Sequence, residues 1–291
     1  MSVILRCKER SVRFPSFWAR AKNATGMVVA RGWSDVSQDE ADANAQRRLD
    51  RILAYLRNRR PNPMEELDRY PYVADDVICE EVVQSIEANG KTVAVLTRNA
   101  YGAVVMNASQ MMFIDLDFPW RGGSGCLFPF WRPKPPPQDP EATLRARIAQ
   151  WHERHRELHV RVYRTKNGIR LIVTNQSFPT VEGTSLAMMT ELEADQLYVQ
   201  LCTTQKCFRA RLSPKPWRMG LKMPPSRFPF DKEADRAAYD RWDEHYRSVT
   251  SQYGVCRFLE SLGGQEILPD HASLIELHDA MTCRDSTLPL A

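Results

Sequence analysis

Asp115 and Asp117, in Phe113-Ile114-Asp115-Leu116-Asp117-Phe118-Pro119, are the residues whose type and spacing most suggest chemistry. On a strand, residues two apart project from one face, so both carboxylates share a side while Ile114, Leu116 and Phe118 take the other. Like charges this close repel, and a divalent cation relieves the repulsion. The pair therefore predicts magnesium or manganese held between the carboxylates and substrate phosphates. Two aspartates at the wet end of a strand before a turn would give the same pattern, so the reading depends on what else converges there.

A second group lies beyond Asn167-Gly168. Val160 to Thr165 and Ile169 to Thr174 flank this dipeptide, which favours a type I′ turn, and together they predict a β-hairpin. With Asn167 and Gly168 as the turn, Thr165 pairs with Arg170 and Tyr163 with Ile172. Tyr163, Thr165, Arg170, Ile172 and Thr174 then share a face. If Asp115 and Asp117 lie on that face, the Arg170 guanidinium offers a metal-bound phosphate a fork of donors, with Thr165 and Lys166 close by. A third group runs from Lys206 to Lys222. Lys206, Arg209, Arg211, Lys215, Arg218 and Lys222 occur without an acid and are interleaved with Phe208 and Trp217, as on a surface where cations neutralise phosphates and rings stack on bases. A solvated basic face with the two rings turned inward is the plainer reading of the same stretch.

The elements that must position these groups are legible from pattern. Ser37 to Glu40 reads as a capping box opening a helix from about Gln38 to Arg57, which Pro61 and Pro63 end. Asp76 to Asn89 is expected to be helical, and Asn89-Gly90 turns the chain into a strand from Thr92 to Thr97. Ala103 to Met106 and Met112 to Asp117 continue the sheet. Trp120 to Asp139, rich in glycine and proline, reads as an insertion loop, and its Gly122-Gly123-Ser124-Gly125 lacks the lysine of a phosphate loop. Asp139-Pro140 caps a helix expected to reach about His159. Further helices are expected over Ser185 to Thr203, Asp231 to Tyr253 and Ala272 to Thr282.

Composition bounds the rest. The 291 residues are 43% hydrophobic, enough for a substantial core, and a net charge of +4 is too small for a uniformly basic nucleic-acid coat, so any such role needs a local patch. No apolar run is long enough for a membrane span, no secretory signal is evident, and a cytoplasmic location is expected. Seven cysteines, an odd number without paired zinc-knuckle spacing, suggest reduced thiols; Cys202 and Cys207 are the closest pair. His152, His155 and His159 lack a H-E-x-x-H pattern and read as ordinary half-buried histidines rather than metal ligands.

Taken together, a D-x-D strand, a helix-bearing connection and a second strand with small polar residues, glycine and a base resemble the catalytic core of archaeo-eukaryotic primases and primase-polymerases. The resemblance spans about Val93 to Arg218. It implies that Asp115 and Asp117 are the first motif, binding metal. The nucleotide-binding second motif falls on Thr165-Lys166-Asn167-Gly168-Ile169-Arg170, with Arg170 standing where the family carries histidine. For the third motif, a further metal-binding acid, Asp195 is the best candidate, although its surroundings read as helix.

The expectation is an α+β fold: a mostly antiparallel central sheet with packed helices and a primase-like core. It comprises an N-terminal helical region (1–90), the core (91–225) and a C-terminal helical region (226–291). The expected function is metal-dependent nucleotidyl transfer on nucleoside triphosphates and DNA or RNA, as in replication, with Asp115 and Asp117 catalytic. Thr165, Lys166 and Arg170 would contact phosphate, and Lys206, Arg209, Arg211, Lys215 and Arg218 would bind nucleic acid. The alternatives are a non-catalytic, replicon-associated nucleic-acid-binding module on the same scaffold, and a metal-dependent phosphoesterase.

Overall fold

The computed structural model describes residues 3–6, 11–58, 77–118, 139–179, 181–283 and 285–291. In chain order, the hairpins β1 (Val3–Arg6) with β2 (Ser11–Phe14) and β3 (Phe17–Lys22) with β4 (Val29–Ser34) precede helix α1 (Gln38–Asn58). Strands β5 (Glu81–Ala88), β6 (Lys91–Arg98), β7 (Val104–Ala108) and β8 (Phe113–Asp117) follow, then α2 (Pro140–Arg154). Next come β9 (Val160–Thr165), β10 (Gly168–Val173), α3 (Thr184–Glu191), α4 (Gln196–Gln205), β11 (Phe208–Arg211) and a 3-10 turn at Pro216–Met219. The chain continues through α5 (Glu233–Thr250), β12 (Cys256–Leu262) and α6 (Pro269–Thr282).

Two four-stranded antiparallel sheets carry the core, in the orders β11-β7-β6-β5 and β12-β9-β10-β8. The α+β expectation therefore holds. In the second sheet β10 lies between β8 and β9 and opposes both, so β8 and β9 run parallel and the segment bearing α2 connects them. Leu144, Ile148 and Trp151 of α2 are buried with Ile114, Leu116, Val162, Ile169 and Leu171 in one apolar cluster, which also takes in Leu96, Met106 and Ala108 of the first sheet. At about 25 cal/mol per Å² of apolar surface, this shared burial is what fixes β8 against both layers.

The N-terminal region is not helical throughout, as the pattern suggested. α1 lies on the β3–β4 hairpin with Ala41 and Ala45 buried against Ala19, and Gly32 permits the approach, since a Cβ there would stand 2.1 Å from Ala45 N. Ser37 Oγ accepts from Glu40 N at 3.2 Å, as the capping box predicts, while the Glu40 carboxylate turns back to accept from Ser34 Oγ at 2.5 Å. The segment expected to be helical before Asn89 is strand β5, whose Val82, Val83 and Ile86 favour extended backbone. Asn89 and Gly90, both at positive φ, close it onto β6.

Other boundaries also move. α2 ends at Arg154, five residues before the expected stop at His159. The single helix expected over Ser185 to Thr203 is two, α3 and α4, broken where Glu193 takes a φ of 52° and Asp195 caps α4 by accepting from Leu197 N at 3.0 Å. The C-terminal region contains β12, which pairs with β9 and so completes the second sheet. The glycine- and proline-rich insertion from Trp120 onward, apart from Asp139, lies outside the described residues, as do Pro61 and Pro63. No helix among the described residues is long and apolar enough to cross a membrane.

Candidate functional site: a charged surface at the end of β8

Asp115 and Arg170 are direct cross-strand partners on β8 and β10, and Asp117 stands opposite Gly168. The shared face expected from the sequence is therefore formed, but by a different register. Thr165 pairs with Gly168 and Tyr163 with Arg170, so the turn residues are Lys166 and Asn167, and neither Asn167 nor Gly168 has a positive φ. Glycine is needed at 168 for closeness instead: a Cβ would lie 1.9 Å from Leu116 O. Because the shift moves each pairing by two residues, the set of side chains on the face is preserved.

Arg170 is 2% exposed and its guanidinium grips Asp115 through both arms, Nε to Oδ1 at 2.7 Å and Nη2 to Oδ2 at 3.0 Å. Nη1 donates to Arg211 O at 3.0 Å, joining the second sheet to β11 of the first. Burial works against the charge on Arg170, but the facing carboxylate outweighs it and holds the group protonated above its ordinary range. This corrects the expectation that Arg170 faces incoming phosphate. The guanidinium is spent on Asp115, each of whose oxygens accepts one of its N–H groups.

Asp117 is exposed at the strand end, where its carboxyl pKa is raised, first by partial burial and then by Asp195 and Asp115, while Lys215 and Arg218 pull it down. Asp195, the third candidate acid, is brought to this place by the break between α3 and α4, and its backbone N donates to Asp115 O at 3.0 Å. Among the described residues, no three His, Cys, Asp or Glu side chains are arranged to hold a metal ion.

The cations come from the end of β11 and the segment after it. Ser213 Oγ accepts from Val104 N at 2.8 Å and meets Tyr246 Oη at 2.7 Å, and Tyr246 Oη donates to Pro214 O at 2.6 Å, so α5 pins the chain just before Lys215. The 3-10 turn then presents Trp217 and Arg218, and Gly220 at φ 77° ends it. Trp217 is 50% exposed, with the Tyr101 ring edge-on at 5.1 Å and Lys215 Nζ 5.5 Å from its centroid. Burial, reinforced by Arg211 and Arg218, lowers the Lys215 pKa to about 8, against the opposite pull of Asp117 and Asp115. Arg218 Nη2 donates to Asn167 Oδ1 at 3.0 Å when that amide is turned to receive it, which ties the hairpin turn to the basic segment. Arg211 is anchored by the carbonyl oxygens of Ser213 at 2.6 Å and Ala291 at 3.5 Å.

Not every expected residue belongs here. Arg209 is 9% exposed, its Nη2 donates to both carboxylate oxygens of buried Glu80 at 2.7 and 2.9 Å and its Nη1 to Gln205, so it is a core ion pair and not a nucleic-acid contact. Lys206 forms the left-handed C-cap of α4. Lys166 Nζ donates to Leu290 O at 3.0 Å, and Thr165 sits half-buried between Gly168 and Cys256 in the register. The three histidines are engaged locally: His152 with Leu158 O, His155 with Glu191, His159 with Glu266 N. Tyr101 and Tyr246 escape sequence reasoning. The turn signal Asn99 to Gly102 could have marked the first, whereas Tyr246 looks like any aromatic on an amphipathic helix.

Set against family models, curated proteins and solved structures, the chain matches none.

Proposed function

We propose that this chain binds the phosphates of nucleoside triphosphates or of single-stranded nucleic acid where the end of β8, the hairpin turn at Asn167 and the segment from Arg211 to Arg218 meet, on a primase-like scaffold. The observation that carries the reading is the charge balance. With Asp115 neutralised by Arg170, the cations Arg211, Lys215 and Arg218 stand against the carboxylates Asp117 and Asp195, leaving one positive charge in excess around a half-exposed tryptophan. An anionic ester with a flat base satisfies both features. Titrating a labelled single-stranded oligonucleotide tests it: Lys215→Ala with Arg218→Ala is expected to weaken binding at least tenfold, and unchanged affinity would overturn the reading.

A second reading, nucleotidyl transfer, is favoured by the placement of Asp195, whose backbone N donates to Asp115 O at 3.0 Å, next to Asp117 at the end of β8. Magnesium commonly uses only one or two protein carboxylates together with substrate phosphates, and these two are the acids Arg170 leaves free. Bound there, the ion would neutralise phosphate charge during transfer. In this reading Asp115 positions Arg170 rather than holding metal. Magnesium-dependent incorporation of labelled nucleotide that disappears in Asp117→Asn supports transfer; oligonucleotide binding without incorporation supports a binding module.

A further inference from the structure

Beside Thr165 in the register of the second sheet, the start of β12 meets the end of α6 at two sulfurs. Cys256 Sγ and Cys283 Sγ lie 3.5 Å apart. Cys256 is 2% exposed, while Cys283, at the C-cap of α6, is partly open to solvent. Val255 N donates to Thr282 O at 3.0 Å, holding the two backbones side by side. Cys256 Sγ lies 3.2 Å from Thr282 Oγ1 and 4.0 Å from His278 Nε2. The other ring nitrogen, Nδ1, faces Asp279 Oδ1 at 2.9 Å, which orients the imidazole with Nε2 toward the thiol.

We propose that Cys256 and Cys283 are a redox-active pair which a hydroperoxide joins into a reversible disulfide. The partly exposed thiol reacts first, because the sulfur open to solvent is the one an oxidant reaches. The Cys283 thiolate attacks a peroxide oxygen; the O–O bond breaks, the alkoxide or hydroxide leaves and takes up a proton, and Cys283 becomes a sulfenic acid. Cys256 sulfur then attacks Cys283 sulfur, its proton passing to His278 Nε2 and on to the departing hydroxide, which leaves as water. Two thiols lose two electrons and one peroxide gains them. The separate acidities agree with this order: the hydrogen bond from Cys256 holds the Cys283 thiol down to about 7, whereas burial pushes the Cys256 thiol well up. An attacking sulfur needs to move by only about 1.5 Å to reach the disulfide length of about 2.05 Å.

The test is thiol mapping of the folded full-length protein after brief exposure to hydrogen peroxide. The expected result is a single crosslinked peptide joining Cys256 to Cys283, abolished by dithiothreitol. In Cys256→Ser the reaction is expected to stop at Cys283, which a sulfenic-acid probe then labels. Full alkylation of both thiols in the oxidised wild type, or a crosslink between Cys202 and Cys207 in place of the expected one, would overturn the proposal. The wild-type crosslink decides between these outcomes by itself, even if the serine variant fails to fold.

Discussion

Arg170 holds both carboxylate oxygens of Asp115 across the β8–β10 ladder, at 2.7 and 3.0 Å, from a position almost wholly removed from solvent. A residue that looked like half of a metal site is thereby the counter-charge of a buried guanidinium. Removing one member of such a pair strands the other, at a cost of about 3 kcal/mol. Asp115 keeps some exposure, so water recovers part of that. Asp115→Asn is accordingly expected to lose about 2–4 kcal/mol by urea denaturation, and Arg170→Lys, which cannot form the fork, to lose a similar amount. A loss below about 0.5 kcal/mol in both, the range of ordinary surface substitutions, would show that the pair is not structural.

Gly168→Ala is expected to be at least as damaging. A methyl at 168 collides with Leu116 O, which belongs to the backbone of β8 and cannot rotate away, so the hairpin must part from the strand carrying Asp117. The expected cost is above about 3 kcal/mol, with loss of oligonucleotide binding in the fraction that remains folded. Wild-type stability in this variant would contradict the register described for β8 and β10.

Arg209→Ala separates core from surface within one basic stretch. It leaves the Glu80 carboxylate, which also accepts from Thr97 Oγ1 at 2.5 Å, buried without its cation. A stability loss of about 3 kcal/mol is expected, with oligonucleotide affinity of the folded protein unchanged. An affinity loss equal to that of Lys215→Ala with Arg218→Ala, at unchanged stability, would place Arg209 on the binding surface instead.

How much of this was legible in the sequence follows from the range of each interaction. The alternation through Phe113 to Asp117 and the apolar stripe of α2 are local, and both survive in the fold. The common face of Asp115, Asp117 and Arg170 was also readable, because period-two geometry preserves it even when the hairpin register moves by a pair of residues. What could not be read is which charge answers which. Arg209 and Arg211 are two apart in one strand, yet Glu80 captures the first from far along the chain and leaves the second to backbone carbonyls. Strand β5 reads as helix in isolation because its short run of charged and β-branched residues fits either period until β6 supplies a partner.

Acidity offers a separate handle on Lys215. Its pKa is lowered to about 8, so the ammonium is charged at pH 7 and increasingly neutral as pH rises through 8 toward 9. Phosphate binding that depends on it should weaken over that interval. Lys215→Arg, which stays charged, should flatten the profile. A fall of the same size in both proteins would assign the titration to another group.

The most direct test of the central claim is the salt dependence of single-stranded oligonucleotide binding, wild type against Lys215→Ala with Arg218→Ala. Each phosphate neutralised by a cation contributes about 0.7 to the slope of log K against log salt. Removing the two cations is expected to flatten the slope by about 1.4 while lowering affinity. An identical slope in both proteins would mean that the cations beside Asp117 do not meet phosphate, and the account of this surface would be wrong.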